Sequence, residues 1–205
     1  MQLANEKADQ LMTAAVYGAT EVVRELCASP RLHMYIDQPC GDDGKTVLIA
    51  STEAGRTEAS ILLIDAGAEI DARDADGRTA LMAAAWQGEV NLVAPLLSRP
   101  QHAANVFLRA DNGWTALMFA CAEGHVSWVS ALLEQLTQGG ASPEALIDLI
   151  EYEERHDGRS AIGLAREHAH SELVSLLEAR LASMKPCSRA GSFIWCERSD
   201  TFCGF

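Results

Sequence analysis

Basic residues are scarce in this chain: 16 lysines and arginines stand against 29 aspartates and glutamates, a formal net charge of −13 over 205 residues. Such a balance repels phosphate backbones, so direct nucleic-acid binding is not expected, whereas basic or mixed-charge protein surfaces are attracted. Long apolar runs are missing too. The opening residues carry Glu6, Lys7 and Asp9 where a secretory signal needs an unbroken apolar stretch, and runs such as Ala80 to Trp86 fall far short of a membrane span. A soluble protein of the cytoplasm or the nucleus, without membrane insertion, is the expectation. No two of Cys27, Cys40, Cys121, Cys187, Cys196 and Cys203 form a Cys-x-x-Cys pair, which argues against a zinc ribbon or a disulfide framework and for reduced thiols. His156, His168 and His170 match no common zinc spacing either, and residues two apart do not share a helix face. A Gly-rich phosphate loop, a nucleophile elbow and a metalloprotease helix motif are all lacking, so no catalytic residue, metal or cofactor is expected.

What is present is a text that repeats. DDGKTVLIASTEAGR starts at Asp42, DADGRTALMAAAWQGEV at Asp74, RADNGWTALMFACAEGHV at Arg109 and RHDGRSAIGLAREHAHS at Arg155. Gly44, Gly77, Gly113 and Gly158 lie 33, 36 and 45 positions apart, and the hydroxyl residues two places on, Thr46, Thr79, Thr115 and Ser160, keep the same intervals. A weaker copy precedes these: Leu11, Ala14, Ala15 and Gly18 align with Leu48, Ser51, Thr52 and Gly55, without the glycine turn, as suits a terminal cap.

Each feature of the repeat has a physical reason. A glycine two residues before Thr permits the positive φ of a tight turn, and the hydroxyl is placed to accept from the free amides of the helix that follows. In LMAAAWQG, Leu81 and Ala84 or Ala85 share a face of small residues that a neighbouring unit can approach closely. Gly88 stops that helix, and Val90, Leu92, Val93, Leu96 and Leu97 form the apolar stripe of a second, in which Pro95 predicts a kink or a late start. Trp128, beside Val126 and Val129, is expected in the core. No such helix pair buries its apolar face alone, so the units must stack on one another.

Each unit resembles an ankyrin repeat, best in Asp74–Leu97, where Asp74, Gly77, Thr79, Leu81, Ala84, Ala85, Gly88, Val90, Val93, Leu96 and Leu97 match the family's usual text; Asp65–Ala72 resembles its closing turn. The resemblance implies an all-α repeat solenoid, stacked helix-turn-helix pairs with β-hairpin turns. About five units are expected, near 5–37, 41–73, 74–109, 110–153 and 155–183, making an array over 1–183 with a Cys- and aromatic-rich tail at 184–205. The family's proline after Thr is replaced by Val47, Ala80, Ala116 and Ala161, and its next histidine by Ile49, Met82, Met118 and Gly163, so the family's Thr-to-His bonding between units is not expected here.

Insertions fall between units. The larger one, 12 residues beyond a period of 33, contains Ser142 as helix cap, Pro143 at the first helical position and Leu146, Ile147 and Ile150 on one side. From Glu144 to Asp157 six carboxylates (Glu144, Asp148, Glu151, Glu153, Glu154, Asp157) surround one Arg155, either an acidic patch for a basic partner or a solvated helix face. The tail holds Phe193, Trp195, Phe202 and Phe205, a third of the chain's twelve aromatics, which suits docking on the last unit or a short linear motif.

If the resemblance carries over, the partner surface is concave and comprises the turn tips and the two residues before each mid-unit glycine. These are Tyr17, Asp42, Asp43, Lys45, Glu53, Asp76, Arg78, Trp86, Gln87, Asp111, Asn112, Trp114, Glu123, His156, Asp157, Arg159, Glu167 and His168. Trp86 and Trp114 stand out, either as a binding hot spot or stacked on each other or on Arg78. The function this implies is a monomeric, non-enzymatic adaptor or scaffold holding a protein partner, basic or mixed in charge, in the groove of the array. Two other readings are a regulatory or targeting subunit of an enzyme and an acidic inhibitor that masks a basic surface.

Overall fold

The computed structural model describes residues 2–41, 43–99, 103–152 and 158–184. Within them lie five antiparallel helix pairs: α1 (Gln2–Tyr17) with α2 (Thr20–Cys27), α3 (Val47–Glu53) with α4 (Thr57–Asp65), α5 (Ala80–Gln87) with α6 (Val90–Leu97), α7 (Ala116–Glu123) with α8 (Val126–Gln138), and α10 (Ala161–Glu167) with α11 (Ser171–Met184). A further helix, α9 (Pro143–Glu151), stands between the fourth and fifth pairs.

The hydroxyl caps form as the Gly-x-Thr spacing predicts. Thr46, Thr79, Thr115 and Ser160 each hold extended backbone and accept from Ile49 N, Met82 N, Met118 N and Gly163 N, at 3.4, 3.5, 3.4 and 3.1 Å. Each cap satisfies an amide that the first turn of a helix leaves without a partner. The preceding turns are narrower than the expected hairpins. One backbone bond closes each of two of them, Asp74 N to Arg78 O and Ala110 N to Trp114 O, both at 3.0 Å. Among the described residues no strand forms, and Cys40 and Lys45 make an isolated antiparallel bridge.

The first helices make a continuous inner layer, α1 on α3, α3 on α5, α5 on α7 and α7 on α10. Their facing residues are small: Ala80, Ala83, Ala84 and Ala85 in α5, and Ala116, Ala120, Cys121 and Ala122 in α7, are all buried. Small side chains let the helices approach closely, and the apolar area removed from water at each junction is the main stabilising term. Burial pushes the Cys121 thiol up to about 12, which leaves it an inert core residue.

The second helices form an outer layer that is regular only through α8. There α2, α4, α6 and α8 pack in series, whereas α11, outside its own pair, packs more on α9 than on α8. Ser142 caps α9 at 3.2 Å from Ala145 N, with Pro143 in the first turn. Its buried face is Leu146, Leu149 and Ile150, with Ile147 only partly covered, so the expected stripe is rotated toward Leu149.

Trp128 is fully buried, and its indole N–H meets no acceptor among the described residues. In α6, Leu92, Val93 and Leu96 are buried, while Val90 is 36% exposed and Leu97 partly covered. The late start expected from Pro95 does not occur. The helix begins at Val90 and runs through the proline to Leu97, so that Pro95 withholds one internal amide donor.

Residues in left-handed backbone end the first helices. At Gly88 and Gly124 an added Cβ would sit 2.7 Å from the His125 ring and 2.6 Å from the His170 ring, so glycine is required there by space as well as by φ. The fifth pair has Ala169 at the equivalent place, at φ 60°, with no following unit among the described residues to crowd its side chain. Ala169→Gly is therefore expected to stabilise the fold by about 1 kcal/mol. Gly140→Ala, where φ is positive and nothing lies within 4 Å, should cost about the same amount. Gly88→Ala and Gly124→Ala should each cost more than about 2 kcal/mol. Urea unfolding of the four variants measures this series, and equal losses at Gly88 and Gly140 would disprove the steric part.

Candidate partner-binding groove

Three lines of hydrogen bonds tie successive units together and shape the concave side. At the turn tips, Ala75 N donates to Asp43 O and Asp111 N to Asp76 O, both at 2.9 Å. Behind the second helices, Glu69 N donates to Asp37 Oδ1 at 2.8 Å and Asn105 N to Asp71 Oδ1 at 3.0 Å.

The third line runs along the ends of the first helices, where the last carbonyls have no donor within the helix. The carbonyl two residues before each left-handed residue accepts from the next unit. Val16 O takes Arg56 Nε at 3.0 Å, Glu53 O takes Gln87 Nε2 at 2.8 Å, Trp86 O takes His125 Nε2 at 2.9 Å and Ala122 O takes His170 Nε2 at 3.0 Å. Arg56, His125 and His170 each directly precede a second helix. Glu89 occupies that place in the third unit, and a carboxylate has no proton to give a carbonyl. It accepts instead from Thr57 Oγ1 at 2.7 Å, and Gln87 supplies the missing donor.

Five of the predicted site residues bind one another across the second and third units. Lys45 Nζ lies 2.7 Å from Glu53 and 3.5 Å from Asp43; Arg78 lies 3.6 Å from Glu53 and 3.0 Å from both Asp74 and Asp76. Asp74, whose side chain is 1% exposed, also accepts from the Asp76 and Arg78 amides at 3.0 and 2.8 Å. The hydrogen bond to Glu53 raises the Lys45 pKa, with further help from the Glu53 and Asp43 charges, against opposition from burial and Arg78.

Beyond this network opens a groove of about 470 Å³ between the third and fourth units. Trp86, Trp114, Phe119 and Glu123 form its walls, with Asp76, Arg78, Asp111 and Asn112 at the turn tips. Trp86 is 44% exposed, and its ring has no aromatic partner among the described residues. Trp114 is half-buried and meets Phe119 edge-on, ring centroids 5.2 Å apart at 61°, so the two tryptophans share a groove without stacking on each other. Asn112 Oδ1 accepts from Trp114 N at 3.0 Å and fixes the tip that carries it.

The remaining predicted residues are dispersed. Tyr17 is 78% exposed in the first unit, and Arg159 pairs with Glu167 at 3.4 Å in the last. Gln87 serves the clamp just described. The rings of His168 and His170 lie parallel, 6.1 Å apart. Of the acidic insertion, Glu144, Asp148 and Glu151 are on the exposed side of α9. Asp42, Glu153, Glu154, Arg155, His156, Asp157 and the tail aromatics lie outside the described residues. A second hollow, about 410 Å³, lies beside α9, where Arg109 stands 4.0 Å over the Tyr152 ring.

Sequence reading missed Phe119 as a groove residue and missed the donors Arg56, His125 and His170, and it assigned the fourth donor, Gln87, to the partner surface. The signal for the donors was faint: Arg56, His125 and His170 each follow a left-handed residue directly, but Gln87 has no such mark.

Lys45→Met should destabilise the fold by about 1 kcal/mol at pH 7, since the network is only partly solvated. Because the Lys45 pKa is raised on folding, its contribution is whole below the ordinary lysine pKa, about 10.4, and is lost as pH climbs through the folded value. The stability difference between wild type and Lys45→Met, followed by urea unfolding from pH 7 to 11.5, is thus expected to stay level and then close above about pH 10.

Comparison with known proteins agrees with this architecture. Residues 11–109 match the family description "Ankyrin repeats (3 copies)" and residues 112–146 the description "Ankyrin repeat". The chain is also similar to zinc finger CCCH domain-containing protein 24 of Oryza sativa subsp. japonica, 41% identical over 70 residues, which is 33% of this chain and 9% of that protein. It therefore spans a small part of that relative. Among the described residues, no helix is long and apolar enough to cross a membrane. Ankyrin repeats are in general protein–protein interaction modules, and their family is typically non-enzymatic. With more than half of its residues matched and five stacked helix pairs, four of them bearing the repeated turn and cap, this chain belongs to the ankyrin-repeat family.

Proposed function

We propose that this chain is a cytoplasmic adaptor, monomeric and without catalysis of its own, that holds a protein partner in the groove between its third and fourth units. The observation that carries the reading is the exposed Trp86 ring facing the same groove as Trp114, on backbone that the next unit fixes through His125 and Asp111. Aromatic side chains in a pre-formed groove supply large contact area at little ordering cost, which is the composition of a binding hot spot.

The neighbouring ion network supports the same division of labour. Asp43, Lys45, Glu53, Asp76 and Arg78 satisfy one another, so their contribution is to hold the groove's edge rigid rather than to grip a ligand.

Crosslinked affinity purification from the source cell tests the reading. It compares the intact chain with a Trp86→Ala, Trp114→Ala variant and with a chain lacking Pro186 to Phe205. The double variant should keep its helical circular dichroism and lose its partner at least about 30-fold, the scale of a hot-spot loss. Loss on tail deletion alone would make the repeats a spacer and overturn the groove as the site.

A further inference from the structure

The charge around the two tryptophans is unevenly compensated. Arg78, the cation at the groove's edge, is already engaged by Glu53, Asp74 and Asp76, and Asp111 is met by Arg73 at 3.4 Å. Glu123, the last residue of α7, makes no ion pair among the described residues. It lies one helical turn beyond Phe119 on the same face and lines the same groove as Trp86 and Trp114. An unmatched carboxylate beside exposed indole is therefore held open to solvent by a rigid frame.

From this arrangement we infer that the groove receives an arginine side chain from a basic segment of the partner, its guanidinium against the Trp86 and Trp114 rings and its N–H groups on the Glu123 carboxylate. The inference rests on the groove reading proposed above and names the chemistry of its ligand. A guanidinium suits both surfaces: it is planar, weakly hydrated, stacks on indole and offers paired donors to a carboxylate. A lysine ammonium offers no flat face for the rings. The groove's volume of about 470 Å³ accommodates such a side chain with part of its backbone, and the net charge of −13 draws a basic segment in from solution.

The test uses the full chain labelled with 15N and reads the indole N–H signals of its four tryptophans, of which buried Trp128 is an internal control. The probes are the capped peptide Gly-Arg-Gly-Arg-Gly and its counterpart with citrulline, a neutral isostere, at both arginine positions. The arginine peptide should move the Trp86 and Trp114 signals in a saturable way, leave Trp128 in place, and bind at least about fivefold more tightly than the citrulline peptide. Glu123→Gln should remove most of that preference while leaving the helical circular dichroism and urea midpoint unchanged. Equal response to both peptides, no response of either groove tryptophan, or an undiminished preference in Glu123→Gln would each overturn the inference. If Trp86→Ala, Trp114→Ala still abolishes partner capture while Glu123→Gln and the arginine peptide have no effect, the groove stands as the site and only its assignment to a guanidinium fails.

Discussion

Every first helix in this chain ends with carbonyls that its own backbone cannot satisfy, and the stacking of the protein depends on where those carbonyls find a proton. At four junctions the donor comes from the following unit: Arg56, Gln87, His125 and His170. Apolar contact between small faces draws the units together, but it has no direction. The carbonyl bonds are directional and fix the angle at which one pair lies on the next. They also explain the glycines, since the two rings that reach back occupy the space a Cβ would take at Gly88 and Gly124. The substitution of donors is instructive. Glu89 cannot serve, Gln87 does, and the same carbonyl position is satisfied by a different side chain.

The groove follows from that framework. Trp86 sits on the residue whose carbonyl His125 holds, and Trp114 on a turn tied to its neighbour through Asp111, so both aromatics are presented on backbone already ordered before any partner arrives. The charged residues beside them divide into two kinds. Those between the second and third units, four carboxylates on two cations, are tied to one another and stiffen the tips, while Glu123 at the far wall makes no ion pair among the described residues. A surface that looks uniformly acidic and polar in composition is thus part structural and part open.

The two layers tolerate irregularity differently. Helix α9 replaces α8 as the main neighbour of α11 in the outer layer, yet the inner packing of α7 on α10 is uninterrupted. Likewise Pro95, which withholds an amide donor, lies in an outer helix and not in the inner layer. The clamp carbonyls and the groove both belong to the inner side, and the insertion leaves them undisturbed.

The sequence alone determined the repeat, the helix starts and stops, and most of the core. These rest on local physics: a hydroxyl three residues before an amide, a residue that accepts positive φ, an apolar stripe at helical spacing. Thr79, Gly88, Ser142 and Trp128 could be read that way and behave accordingly. The turns without paired strands and the rotated face of α9 depended on neighbours absent from any local window. The groove was legible in part, because the register puts Trp86, Trp114 and Glu123 on the concave side, but Phe119 was not. Which side chains were free to meet a ligand was decided only in three dimensions. Lys45, Glu53 and Arg78 carry charges that look available until residues up to 25 positions apart are brought within ion-pair distance. Pairing across units depends on how the pairs stack, and the stacking angle is a property of the assembled array.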